Sequence, residues 1–135
     1  MSATEVVREE TRHSVGSVGE FELDRFRVFD LDGRPVGVVR TERGFYAVRN
    51  RCPHQGAAIC AGIVSGTMAP SSPREYLYSD DRRVVACPWH RWEFDLETGA
   101  SVQQITKKKL VTYPVEVEDG IVSVVLRGRA RKERR

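Results

Sequence analysis

The chain has 135 residues, 40% of them hydrophobic and 30% charged, the composition and length of one ordinary globular domain and not of a disordered polymer. Three cysteines are too few for a disulfide scaffold. The formal charge of +3 belongs to the last segment, because residues 128–135 hold five basic residues and one acid and leave −1 for residues 1–127.

Residues 1–14 read as a polar N-terminal segment of mixed charge, with Glu5, Arg8, Glu9, Glu10 and Arg12. It has no apolar h-region, so no secretory signal is visible, and no stretch approaches the length of a membrane span. With reduced thiols, these features predict a cytoplasmic protein without a membrane partner. His13 reads as part of a solvated tail.

Residues 15–127 read as the single folded domain. Short apolar stretches at 21–23 and 26–29 are followed by the turn signal Asp30-Leu31-Asp32-Gly33-Arg34-Pro35 and a strand over 36–40. Thr41-Glu42-Arg43-Gly44 marks the next turn, and residues 44–50 the next strand. Strands at this spacing predict an all-β antiparallel sandwich or small barrel, with no helix of three turns.

The 44–50 strand stops at Cys52-Pro53-His54, and a later strand over 83–86 stops at Cys87-Pro88-Trp89-His90. Proline removes a ladder donor and fixes φ, so each Cys-Pro hands the chain to a loop. The sequence holds three Cys and three His, and four of those six fall in these two motifs. Each loop therefore offers one thiolate and one imidazole to a shared metal centre. Two Cys and two His are also a legitimate tetrahedral zinc set, so a structural zinc module is the competing reading.

Between the motifs, Cys60 reads as a small buried hydrophobe. Residues 68–73 read as a stiff polar loop, and Asp80-Asp81 as the turn of an added hairpin formed by 75–79 and 83–86. Beyond the second motif, Trp92-Glu93-Phe94-Asp95 alternates, and Leu96-Glu97-Thr98-Gly99 turns. Lys107-Lys108-Lys109 reads as a solvated turn. Strands over 111–117 and 121–126 enclose Glu118-Asp119-Gly120 as a closing hairpin. The basic tail, 128–135, lacks the interleaved aromatics of a nucleic-acid-binding segment.

The stretches Asn50-Arg51-Cys52-Pro53-His54-Gln55-Gly56 and Cys87-Pro88-Trp89-His90-Arg91-Trp92-Glu93-Phe94-Asp95 resemble the Rieske 2Fe–2S proteins. The resemblance implies a Rieske-like sandwich whose cluster-binding part covers about 48–99. It implies one 2Fe–2S cluster, with Cys52 and Cys87 on one iron and His54 and His90 on the other. Trp89 and Trp92 would then shield the cluster. The expected function is single-electron transfer between a flavoprotein reductase and a terminal oxygenase or reductase. A nitrite-reductase small subunit is a variant of the same reading.

An oxygenase terminal subunit is disfavoured, because only His13 remains for the second iron that such a subunit needs. No nucleotide or flavin fingerprint is present, so electrons must come from another protein. The chain departs from the pattern in two places: 32 residues, 55–86, separate His54 from Cys87, about twice the usual gap, and Arg91 stands where many relatives have Gly.

Overall fold

The computed structural model describes residues 10–53, 56–72, 75–88, 92–102 and 107–127, with the backbone alone over 66–72 and 75–82. His54, Trp89, His90, Arg91 and the tail 128–135 lie outside the described residues. The elements in chain order are β1 (Glu10–Ser17), β2 (Phe26–Leu31), β3 (Arg34–Thr41), β4 (Gly44–Arg49), β5 (Ile63–Ser72) and β6 (Glu75–Ala86), then β7 (Glu93–Asp95), β8 (Thr112–Tyr113), β9 (Val115–Glu118) and β10 (Ile121–Arg127). The helical elements among the described residues are two 3-10 turns, Val18–Glu20 and Ile59–Ala61. None of them is long and apolar enough to cross a membrane.

The strands form three antiparallel sheets, in the orders β1-β10-β9, β2-β3-β4-β8 and β5-β6-β7. Two tight turns follow from their sequence. Asp32-Gly33 has φ of 57° and 80°, and Asp119-Gly120 has φ of 52° and 78°. A two-residue hairpin of the I′ type needs positive φ at both positions, which Asp tolerates and Gly adopts freely. Thr41 ties the β3–β4 turn from its side chain, donating to the Gly44 carbonyl and accepting the Arg43 N–H.

The centre of the β2-β3-β4-β8 sheet, at β3 and the end of β4, is buried on both faces, which explains why β3 reads as a nearly continuous apolar run. Val36, Val38 and Ala47 point into a core shared with Val15, Phe21, Leu31, Val122, Val124 and Leu126. Val39 and Val48 point the other way, into a core shared with Ile59, Val64, Val85, Phe94, Leu96 and Leu110. Side chains alternate across a strand, so neighbours on β3 serve different cores.

The structure alters three sequence expectations. The segment 111–117 is divided at Pro114: Tyr113 and Thr112 pair with Ala47 and Val48 of β4, whereas β9 pairs with β10. Proline has no N–H for a ladder, and its carbonyl accepts from Val125, so the chain changes sheets there. Asp80-Asp81 is not a turn. β6 runs through it, and the pairing passes from Ser65↔Val84 to Thr67↔Ser79, so that residues 80–83 bulge opposite Gly66. A bulge takes up extra residues without ending the strand pair. Ser72 and Glu75 pair with each other, so residues 68–72, expected as a loop, instead continue β5 as the partner of β6.

The third change is at the N-terminus. β1 begins at Glu10, and His13 pairs with Val124 of β10, half-buried and with its Nε2 2.9 Å from the Thr11 hydroxyl. His13 is part of a sheet and not of a solvated tail. Its partner strand is distant in sequence, so no local pattern reports the pairing.

Candidate metal centre

Cys52 follows the end of β4 and Cys87 follows the end of β6. Both are buried, at 1% and 2% exposure, and both belong to the core beneath Val39 and Val48. The two loops close in the same way. The Cys52 N–H donates to the Ala57 carbonyl at 2.7 Å, and the Cys87 N–H donates to the Trp92 carbonyl at 2.8 Å. In each case the donor is the cysteine and the acceptor is five residues on. The first loop is tightened further by the Gly56 N–H, which donates to the Cys52 carbonyl at 2.8 Å with Gly56 at φ 79°. That backbone region suits glycine.

The structure thus brings Cys52 and Cys87 into one core on two matching loops. Among the described residues, no group of three or more His, Cys, Asp or Glu could hold a metal. The expected ligands His54 and His90 are outside those residues, as are Trp89 and Arg91. Trp92 is half-buried and packs against the core that holds both cysteines. Lys107, Lys108 and Lys109 are exposed.

Cys60 has a different environment. Its thiol lies against Gly37 of β3, where a Cβ would collide with it, and it packs on the outside of the cysteine core. Burial pushes this thiol up to about 12, so it stays protonated and behaves as a small apolar side chain. Tyr46 packs on the same core, and its hydroxyl is raised above the usual range by burial and then by the nearby Glu97.

Three contributors were not singled out by sequence reasoning. Asn50, two residues before Cys52, accepts the Cys60 N–H on its Oδ1 at 2.9 Å and donates its own N–H to the Pro35 carbonyl at 2.8 Å. Gly62 ends the 3-10 turn directly against the carbonyl of Ala86, the residue before Cys87. Asp95 is buried, and its Oδ1 accepts the N–H groups of Glu97 at 2.7 Å and Thr98 at 3.2 Å. The Asp95–Gly99 spacing carries a local signal for such a turn. The Asn50–Cys60 and Gly62–Ala86 contacts carry none, because each joins separate segments.

The donor set fits a Rieske cluster in the half that is described. Two thiols are presented from strand ends into one dry core, and a buried thiolate is tolerable when it binds a metal. Comparison with known proteins agrees. A profile of the Rieske [2Fe-2S] domain matches residues 11–114. The ferredoxin subunit of 3-phenylpropionate/cinnamic acid dioxygenase from Escherichia coli (strain K12) is 33% identical over 97 residues, covering 71% of this chain and 77% of that one.

Two solved structures share the fold. A Mycobacterium tuberculosis protein assigned as an NADH-dependent nitrite reductase small subunit superposes with a TM-score of 0.70 at 23% identity, over 87% of this chain and 96% of that one. A ferredoxin in complex with the oxygenase in carbazole 1,9a-dioxygenase superposes with a TM-score of 0.63 at 24% identity, over 82% and 98%. On the profile and the dioxygenase relative together, this chain belongs to the Rieske [2Fe-2S] domain family, whose cofactor is a Rieske-type 2Fe–2S cluster.

Proposed function

We propose that this protein is a ferredoxin that passes single electrons from a flavoprotein reductase to a terminal oxygenase or another redox enzyme. In this reading Cys52 and Cys87 hold one iron, and His54 and His90 hold the other. The observation that carries it is the pair of buried cysteines, each with its N–H on the carbonyl five residues on, in a chain of the Rieske family. The partner class is supported by the dioxygenase ferredoxin subunit at 33% identity and by the carbazole ferredoxin found with its oxygenase. The reduced thiols fit a cytoplasmic setting. The family match leaves the structural zinc reading without support.

When bound, the cluster supplies a site that accepts and releases one electron at a time. The chain's own residues do the rest. Val39, Val48, Phe94, Leu96 and Leu110 exclude water from the cysteine side. Imidazoles at 54 and 90 would give the other side a proton-sensitive edge. The N–H groups of Cys52, Gly56 and Cys87 are committed to carbonyls. Other backbone N–H groups of the two loops would donate to the sulfurs and tune the potential.

Single substitutions test the ligand set. Cys52→Ser, His54→Ala, Cys87→Ser and His90→Ala are each expected to abolish or bleach the visible absorbance. Cys60→Ser and His13→Ala are expected to retain it. A coloured His54→Ala or His90→Ala variant with an unaltered spectrum would overturn the assignment.

A further inference from the structure

We infer that the 3-10 turn Ile59–Ala61 is a strut between the two cysteine loops, fastened by Asn50 at the first loop and by the close approach of Gly62 at the second. Asn50 and Gly62 are then positioning residues for the metal centre. The inference rests on the proposed ligation by Cys52 and Cys87.

The first fastening is a side-chain clasp. Asn50 is fixed by its own N–H on the Pro35 carbonyl at 2.8 Å, and its Oδ1 holds the Cys60 N–H at 2.9 Å. Between Asn50 and Cys60 lies the whole first loop, with Cys52 two residues from the clasp. The middle of the strut is seated by the Cys60 thiol on Gly37, which leaves it no room to slide along β3. Ile59 is fully buried in the cysteine core beside it.

The second fastening is a close approach. Gly62 has φ −81° and ψ −172°, a backbone conformation that any residue adopts. Glycine is therefore required there for space and not for conformation. A Cβ at this position would run into the Ala86 carbonyl, and Ala86 is bonded to Cys87. The N–H of Gly62 is turned back to the Ile59 carbonyl at 2.9 Å, which keeps the end of the strut compact. One short turn thus touches the residues flanking both thiols, and it sets their separation before metal arrives.

The test follows metal release at pH 7 from the purified holoprotein, using an iron chelator and a zinc chelator on parallel samples, together with the EPR g-values of the reduced state. Asn50→Ala and Gly62→Ala are expected to release metal about 10- to 100-fold faster, the range for losing a group that orients a ligand, and to shift the g-values. Asn50→Asp keeps the acceptor for Cys60 and should release at close to the wild-type rate. Ala61→Ser lies in the strut but makes neither fastening, and should match wild type.

Wild-type release and unshifted g-values in both Asn50→Ala and Gly62→Ala would overturn the strut, as would Asn50→Asp releasing as fast as Asn50→Ala. If Asn50→Ala fails to fold, hydrogen exchange at the Cys60 amide of the wild-type protein decides: slow exchange supports the clasp, and exchange at the rate of an open turn overturns it. A wild-type protein holding zinc would defeat the proposed function, yet the release ratios would still test the strut, since the same two thiolates would hold the zinc.

Discussion

Val38 and Val39 are adjacent on β3 and fully buried, yet they lie in different cores. Val38 packs between the β1-β10-β9 sheet and the middle sheet, whereas Val39 shares its core with Cys52 and Cys87. Truncation to alanine at either position should cost about 1.5–3 kcal/mol of stability, the worth of a buried valine. Only Val39→Ala should also accelerate loss of the cluster. Denaturant titration gives the first quantity, and the decay of visible absorbance gives the second. Equal cluster loss in the two variants would show that the cores do not act separately.

Cys60 predicts a loss of stability in alkali. Its thiol is pushed from 9.0 up to about 12 by burial, so the folded protein keeps a proton that the unfolded chain releases. The contribution is fully present below about pH 8.5–9, the ordinary thiol range, and is lost as pH rises toward the folded value. Cys60→Ala removes this term, so the gap between variant and wild type in denaturation midpoint should change between pH 8 and pH 11. In native wild type at pH 8, iodoacetamide should leave Cys60 unmodified, because a thiol at about 12 is ionised to roughly one part in ten thousand.

Asp95 anchors the turn that returns the chain after the second loop. Its Oδ1 serves two N–H groups, of Glu97 and Thr98, from a buried position. Asp95→Ala leaves those donors unsatisfied and should cost about 1–3 kcal/mol. Asp95→Asn retains an acceptor and should cost less. Chemical denaturation of the two variants orders them, and equal losses would show that the carboxylate's charge matters more than its acceptor role.

The reduction potential should fall in the lower part of the Rieske range, between about −150 mV and zero. One feature argues for it: no Ser or Tyr follows His90 within its loop to donate a hydroxyl to the sulfurs. Protein-film voltammetry at neutral pH measures it, and a value well above zero would contradict the expectation.

Local chemistry was readable in the sequence, and non-local pairing was not. Asp32-Gly33 and Asp119-Gly120 announced their turns because positive φ has few residue types to choose from. The Cys-Pro strand ends announced the two loops for a similar reason. Asp80-Asp81 carries the same kind of signal, but the β5–β6 pairing continued past it and absorbed the residues as a bulge. His13 looked like tail because its partner, Val124, lies across the whole chain. The division at Pro114 was concealed by the apolar run on both sides of it, which two different sheets claim. Around the centre, the cysteines were legible and their supports were not. Asn50 and Gly62 act through contacts with segments remote in sequence, and glycine at an ordinary φ gives no outward sign of a close approach.

The proposed function requires an iron–sulfur cluster held by Cys52, Cys87 and two histidines. The most direct test is a visible spectrum of the anaerobically purified protein before and after dithionite, with iron and zinc assayed on the same sample. A brown protein with about two irons per chain that bleaches on reduction is the predicted result. A colourless protein with one zinc would contradict it and make the two loops a structural zinc site.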